Sequence, residues 1–101
     1  MRIDSHVHVW TLGAPPYAHN DDISTQRPES PGLVESLIRH MDLNQIDRTR
    51  RIQCTYHGCD NSYLSYCLQR FPDRLREIPL LDPRRLDAAG KLECLYRQHG
   101  V

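Results

Sequence analysis

Three short segments with strand character are each followed by a segment with helical spacing, and this order constrains the fold more than any other feature of the chain. Ile3 to Trp10 is the first strand-like run. Leu33, Val34, Leu37, Ile38 and Met41 then recur at helical spacing as one apolar stripe, which reads as core and not as a cofactor box. Thr49 to Thr55 is a second, poorer strand, with Ile52 and Cys54 as its apolar side and Arg50 and Arg51 at its entrance. Tyr63, Leu64, Cys67, Leu68 and Phe71 form a second stripe, stopped by Pro72. A third strand, Leu75 to Leu81, leads through Asp82-Pro83 into a third helix with Leu92, Leu95 and Tyr96 as its buried face. Strand–helix alternation of this kind specifies an α/β fold with a parallel sheet and right-handed crossovers.

Local signals mark the ends of these elements. Ser30 can cap the first helix with Pro31 at its first position, Asp60 the second and Asp87 the third, while Gly100 follows the third helix as a terminator. The segment from Thr11 to Ser30, with Gly13, Pro15, Pro16, Pro28 and Asp21-Asp22, is a long loop of the kind that serves as a lid or stays disordered. Arg50 and Arg51 are the anomaly, since a strand inside a parallel sheet should be almost continuously apolar. A buried, unpaired guanidinium is expensive. Either these side chains reach solvent or the strand is compromised.

Composition narrows the function classes. The 101 residues allow one domain or part of one. Thirteen basic and thirteen acidic residues cancel, so neither a nucleic-acid nor a membrane partner is expected. Arg48, Arg50 and Arg51 cluster locally, as do Arg84 and Arg85, and both groups read as solvated charge rather than phosphate sites. Met1-Arg2 runs straight into the first strand with no apolar stretch suited to a signal peptide or a membrane span, an expectation of cytoplasmic location. Cys54, Cys59, Cys67 and Cys94 are scattered and read as reduced thiols, with Cys67 and Cys94 on buried helical faces.

The chemistry sits on the first strand. Period-two alternation puts Asp4, His6 and His8 on one side and Ile3, Ser5, Val7 and Val9 on the other. Two imidazoles at that spacing can grip one divalent cation, and neutral imidazole suits zinc. Asp4 is a candidate for orienting a ligand imidazole, with a structural hydrogen bond as the alternative. Gln53 and His57, at the end of the second strand, are candidate substrate contacts, although a solvated turn histidine is the stronger reading of His57. His19, His40 and His99 read as surface residues.

The run Ile3-Asp4-Ser5-His6-Val7-His8-Val9-Trp10 resembles the opening of the amidohydrolase-related (amidohydrolase 2) family within the metal-dependent amidohydrolase superfamily. Met41-Asp42 leading to Ile46-Asp47-Arg48, Asp60-Asn61-Ser62-Tyr63-Leu64, Phe71-Pro72-Asp73-Arg74-Leu75 and Leu81-Asp82-Pro83-Arg84 are similar to that family in order and spacing. His-x-His alone is shared with other metal-dependent barrels, including TatD-type nucleases. The later segments favour the amidohydrolase-related branch.

The resemblance implies the N-terminal three β/α units of a (β/α)8 TIM barrel, incomplete in this chain because eight units take about 250 residues. It implies His6 and His8 as metal ligands at the C-terminal end of the first strand. The metal is expected to be zinc, with manganese as the alternative, and weakly bound or absent here. The parent activity is hydrolysis of a lactone or related carbonyl compound, a small-molecule substrate, at a mononuclear site; decarboxylation also occurs in the family. The later-strand ligands and catalytic Asp of the family have no counterpart in residues 1–101, so the chain is expected to be inactive alone. The alternatives are a non-catalytic remnant, a partial barrel that self-associates through open sheet edges, and, at lower standing, a TatD-like nuclease fragment.

Overall fold

The computed structural model describes residues 1–13, 16–17, 28–54 and 56–101. Its elements follow the expected order: β1 (Ile3–Val7), α1 (Val34–Leu43), β2 (Arg48–Ile52), α2 (Ser62–Arg70), β3 (Leu75–Ile78) and α3 (Ala88–His99). The strands form one sheet in the order β1-β2-β3, parallel at both junctions. Each strand is shorter than its sequence signal. The loop residues Asp21, Asp22 and His19 lie outside the described residues.

One face of the sheet is covered by helices. Val9, Val34, Met41, Tyr63, Cys67 and Leu75 make the core, joined by half-buried Tyr17, Leu37, Ile38, Tyr66 and Phe71. Of the stripe expected on α2, Tyr63, Leu64, Cys67 and Leu68 are buried, and Phe71, at the C-cap, is half-buried. The α3 stripe is not: Leu92 is 45% exposed, Tyr96 66%, and no α3 residue is buried. Cys94, expected inside, is exposed for the same reason. Among the described residues the sheet ends at β3, and none of them buries this face of α3.

Helix starts depart from the expected caps. Ser30 and Pro31 do not open α1, because Trp10 and Gly32 form an antiparallel bridge, with Trp10 N donating to Gly32 O at 2.8 Å and Gly32 N to Trp10 O at 3.1 Å. That bridge holds the chain extended past Ser30, whose carbonyl accepts the Trp10 indole N–H at 2.8 Å. Gly32 is required there, since a Cβ would lie 2.8 Å from the Trp10 ring. The first free amide of α1, Val34 N, donates to the Tyr63 hydroxyl at 3.0 Å, so a side chain from α2 does the capping. The cap position of α2 is Asn61, which makes no side-chain cap bond; Asp60 lies one residue earlier than expected, and its carboxylate accepts Ser62 N at 3.0 Å. Asp87 holds the cap position of α3, but its carboxylate pairs with Arg85 at 2.9 Å and does not cap. Gly100 closes α3 in the left-handed conformation at φ 71°.

The arginine anomaly on β2 resolves in a third way. Arg50 is exposed, while the Arg51 side chain is fully buried and paired. The register sets Arg51 beside Glu77, and Arg51 Nε donates to Glu77 Oε2 at 2.7 Å and to Oε1 at 3.0 Å. The guanidinium also lies 5.8 Å from the Tyr63 ring centroid. Nη1 and Nη2 are buried with no hydrogen-bond partner among the described residues. Burial pushes the Glu77 carboxyl up to about 7, against the opposing pull of Arg51. The strand is intact because a carboxylate 26 residues away meets the charge.

Candidate functional site

His6 and His8 lie at and just past the C-terminal end of β1, and both are exposed. Their ring centroids are 5.1 Å apart with the planes at 86°. His8 Nδ1 is 2.8 Å from the Ile52 carbonyl oxygen on β2. A carbonyl only accepts, so this nitrogen carries a proton, and in the neutral ring Nε2 is then the nitrogen with the lone pair. A ring fixed through one nitrogen with the other free is the usual state of a metal-ligating histidine.

A register shift between Asp4 and Val7 re-aims this end of the strand. Asp4 pairs with Thr49 and Val7 with Arg51, three steps along β1 against two along β2. Laterally paired residues share a face, so Asp4 and Val7 go with the helix-covered side of the sheet. The simple alternation that groups Asp4 with the two histidines breaks at this bulge. The Asp4 carboxylate accepts the backbone N–H of His6 at 3.1 Å and thus supports the main chain at the bulge. The Ile52 carbonyl, not Asp4, orients an imidazole.

Beside His8 is a cavity of about 300 Å³ lined by His8, Trp10, Gln53, Cys54 and Tyr56. The Trp10 and Tyr56 rings meet edge-on at 6.0 Å and form its aromatic wall. Gln53 is buried, with Nε2 donating to the Asp60 carbonyl at 2.6 Å and Oε1 without a partner among the described residues. A second hollow of about 410 Å³, between β1 and α1, also reaches His8 and includes Trp10, Ser36 and His40. A groove of about 630 Å³ between α2 and α3 lacks both His6 and His8.

His57 stands apart from this cluster. It is 1% exposed, and its Nε2 accepts the Thr11 amide at 3.1 Å, joining the segment after β1 to the β2–α2 turn. His40 is exposed, and His99, half-buried, meets Gln69 at 3.1 Å. Burial pushes the Cys67 thiol up to about 12, so Cys67 is no nucleophile at neutral pH. Trp10 and Tyr56 are site residues that the chemistry-bearing types did not flag. The signal for Trp10 was available: the period-two spacing that selects His6 and His8 selects Trp10 next.

Among the described residues no group of three or more His, Cys, Asp or Glu side chains could hold a metal ion. His6 and His8 bring two imidazole rings to 5.1 Å, whereas a tetrahedral shell takes four donors. Among the described residues no helix is long and apolar enough to cross a membrane.

No protein-family model matches the chain, and no curated protein matches it. A solved structure does. The chain is similar to the crystal structure of a probable 2-pyrone-4,6-dicarboxylic acid hydrolase from Acinetobacter baumannii with citric acid bound, at TM-score 0.81 and 24% identity. The match covers 99% of this chain and 35% of that one. At this identity the likeness concerns the fold alone, and this α/β unit of three parallel strands and three helices spans about a third of that longer chain.

Proposed function

We propose that the chain is the N-terminal part of an amidohydrolase-related hydrolase. Its three strand–helix units begin a (β/α)8 barrel whose substrate is a lactone or related carbonyl compound. His6 and His8 are two ligands of its mononuclear metal site. The observation that carries this reading is the His8 Nδ1 bond to Ile52 O, which leaves Nε2 facing out beside His6. The fold likeness to a probable dicarboxylic acid hydrolase supports the same reading.

The residues have separate tasks. Ile52 O holds the His8 ring in one tautomer. Asp4 fixes the His6 main chain at the bulge. Trp10, Tyr56 and Gln53 line the cavity beside His8, with the two rings as its apolar side. A divalent ion on His6 and His8 supplies Lewis-acid polarisation of a carbonyl or activation of a water. Two ligands give weak affinity, so residues 1–101 alone do not turn over substrate.

Zinc titration by calorimetry tests the assignment. A weak one-site isotherm that disappears in the His6→Ala, His8→Ala double variant is expected. Zinc binding unchanged in that variant would remove both residues from the site. The uncovered apolar face of α3 and the two open sheet edges favour a second reading, a partial barrel completed by another chain. Light scattering at rising concentration separates the two, since only that reading requires association.

A further inference from the structure

The uncovered face of the sheet carries three guanidinium groups. Thr49, Arg51, Leu75 and Glu77 point to the helices and are buried. The intervening residues Arg48, Arg50, Ile52, Arg76 and Ile78 therefore point the other way. Arg48, Arg50 and Arg76 are exposed. Register places Arg50 directly beside Arg76. On the other side of Arg50, the bulge between Asp4↔Thr49 and Val7↔Arg51 leaves Ser5 and His6 both opposite it. One row across the sheet thus reads Ser5 and His6, Arg50, Arg76, with neighbouring strands about 4.8 Å apart.

Among the described residues no carboxylate pairs with this row. Glu77 faces the helices and is taken by Arg51. Asp4 lies on that covered side as well. Among the described residues, no ion pair involves Arg48, Arg50 or Arg76. Arg50 makes no side-chain hydrogen bond there, and Arg76 uses only Nη1, donating to Pro72 O at 2.7 Å and Leu75 O at 2.9 Å. Its Nε and Nη2 remain available. Like charges directly opposite each other destabilise a sheet, and guanidinium forks match oxyanion geometry.

We infer that the row Ser5, His6, Arg50 and Arg76 binds a small multivalent oxyanion, a dicarboxylate or a phosphate, which bridges the two guanidinium groups beside the His6 imidazole. The arginines that cluster in sequence are not the ones that act together; register joins Arg50 to Arg76 and sends Arg51 to the opposite face. The site requires no metal, so its test is independent of the metal reading.

The test is calorimetric titration of the EDTA-treated chain with inorganic phosphate and, separately, with succinate, at ionic strength fixed by sodium chloride. Saturable one-site binding of either is expected, and which one binds identifies the source of the oxyanion. Affinity should weaken about tenfold or more in the Arg50→Gln, Arg76→Gln double variant. It should persist in the Arg84→Gln, Arg85→Gln control, whose exposed arginines have their own carboxylates. Should the double variant not fold, Arg50→Lys, which keeps the charge and loses the fork, is expected to weaken binding as well. Absence of saturation with both anions, or equal affinity in the Arg50 and Arg76 variants, would overturn the inference.

Discussion

Replacing Glu77 by leucine removes the only acceptor that Arg51 has among the described residues. Both side chains are 0% exposed, and Nη1 and Nη2 of Arg51 are already unpartnered among the described residues. The variant leaves a whole guanidinium buried with no acceptor, and breaking a buried pair from one side costs about 3–5 kcal/mol. That is a large share of the about 5–15 kcal/mol that holds a domain folded. With a urea slope near ~2 kcal/mol/M, the midpoint should fall by about 2 M. Arg51→Met should cost less, since a carboxyl already raised to about 7 by burial can stay protonated. The double change Arg51→Met, Glu77→Leu removes both charges and should recover most of the loss, because apolar replacements of buried pairs are often neutral or stabilising. Urea unfolding followed by Trp10 fluorescence and far-UV circular dichroism measures all three. A double variant as unstable as Glu77→Leu alone would refute the reasoning, as would a Glu77→Leu loss under about 1 kcal/mol, at the level of an exposed pair.

The same carboxyl makes stability depend on pH. Its folded value near 7 lies above the ordinary 4.5, so between those values the folded chain binds more protons than the unfolded one. The contribution is therefore full below about 4.5 and is lost as pH rises through about 7. Urea midpoints should decline from pH 5 to pH 8, and Glu77→Gln, which keeps an acceptor for Arg51 Nε, should flatten the decline. A rising midpoint with the wild-type side chain contradicts this. Gly32→Ala puts a methyl 2.8 Å from the Trp10 ring and should lower stability by about 1–3 kcal/mol, with a shift in tryptophan emission. A wild-type melt for that variant would mean that the Trp10–Gly32 bridge is not formed.

What the sequence made legible was local. Helical stripes on α1 and α2, the alternation of strands and helices, Gly100 and the His-x-His spacing depend on residues within a few positions of each other, and the structure keeps them. What it concealed was non-local. Arg51 read as a defect because its partner Glu77 is adjacent only through the β2–β3 register. Ser30 read as a cap because nothing near it announces the bridge between Trp10 and Gly32. Leu92 and Tyr96 form an apolar face by spacing, but burial needs a neighbour, and the sheet stops at β3. Asp4 left the histidine face through a one-residue bulge that alternation cannot foresee. In the site, His6 and His8 were found by residue type and spacing, whereas the carbonyl that orients His8 is a backbone atom without a side-chain signature.

The most direct measurement is long-range ¹H–¹⁵N spectroscopy of the imidazoles, before and after zinc. The expected result is a single Nδ1–H tautomer for His8 in the metal-free chain, held by Ile52 O. Zinc should then shift the Nε2 resonance of His8 together with the ring of His6, and leave His40, His57 and His99 where they were. A mixed or Nε2–H tautomer for His8, or zinc-induced shifts centred on other histidines, would contradict the assignment of this strand end as the metal site.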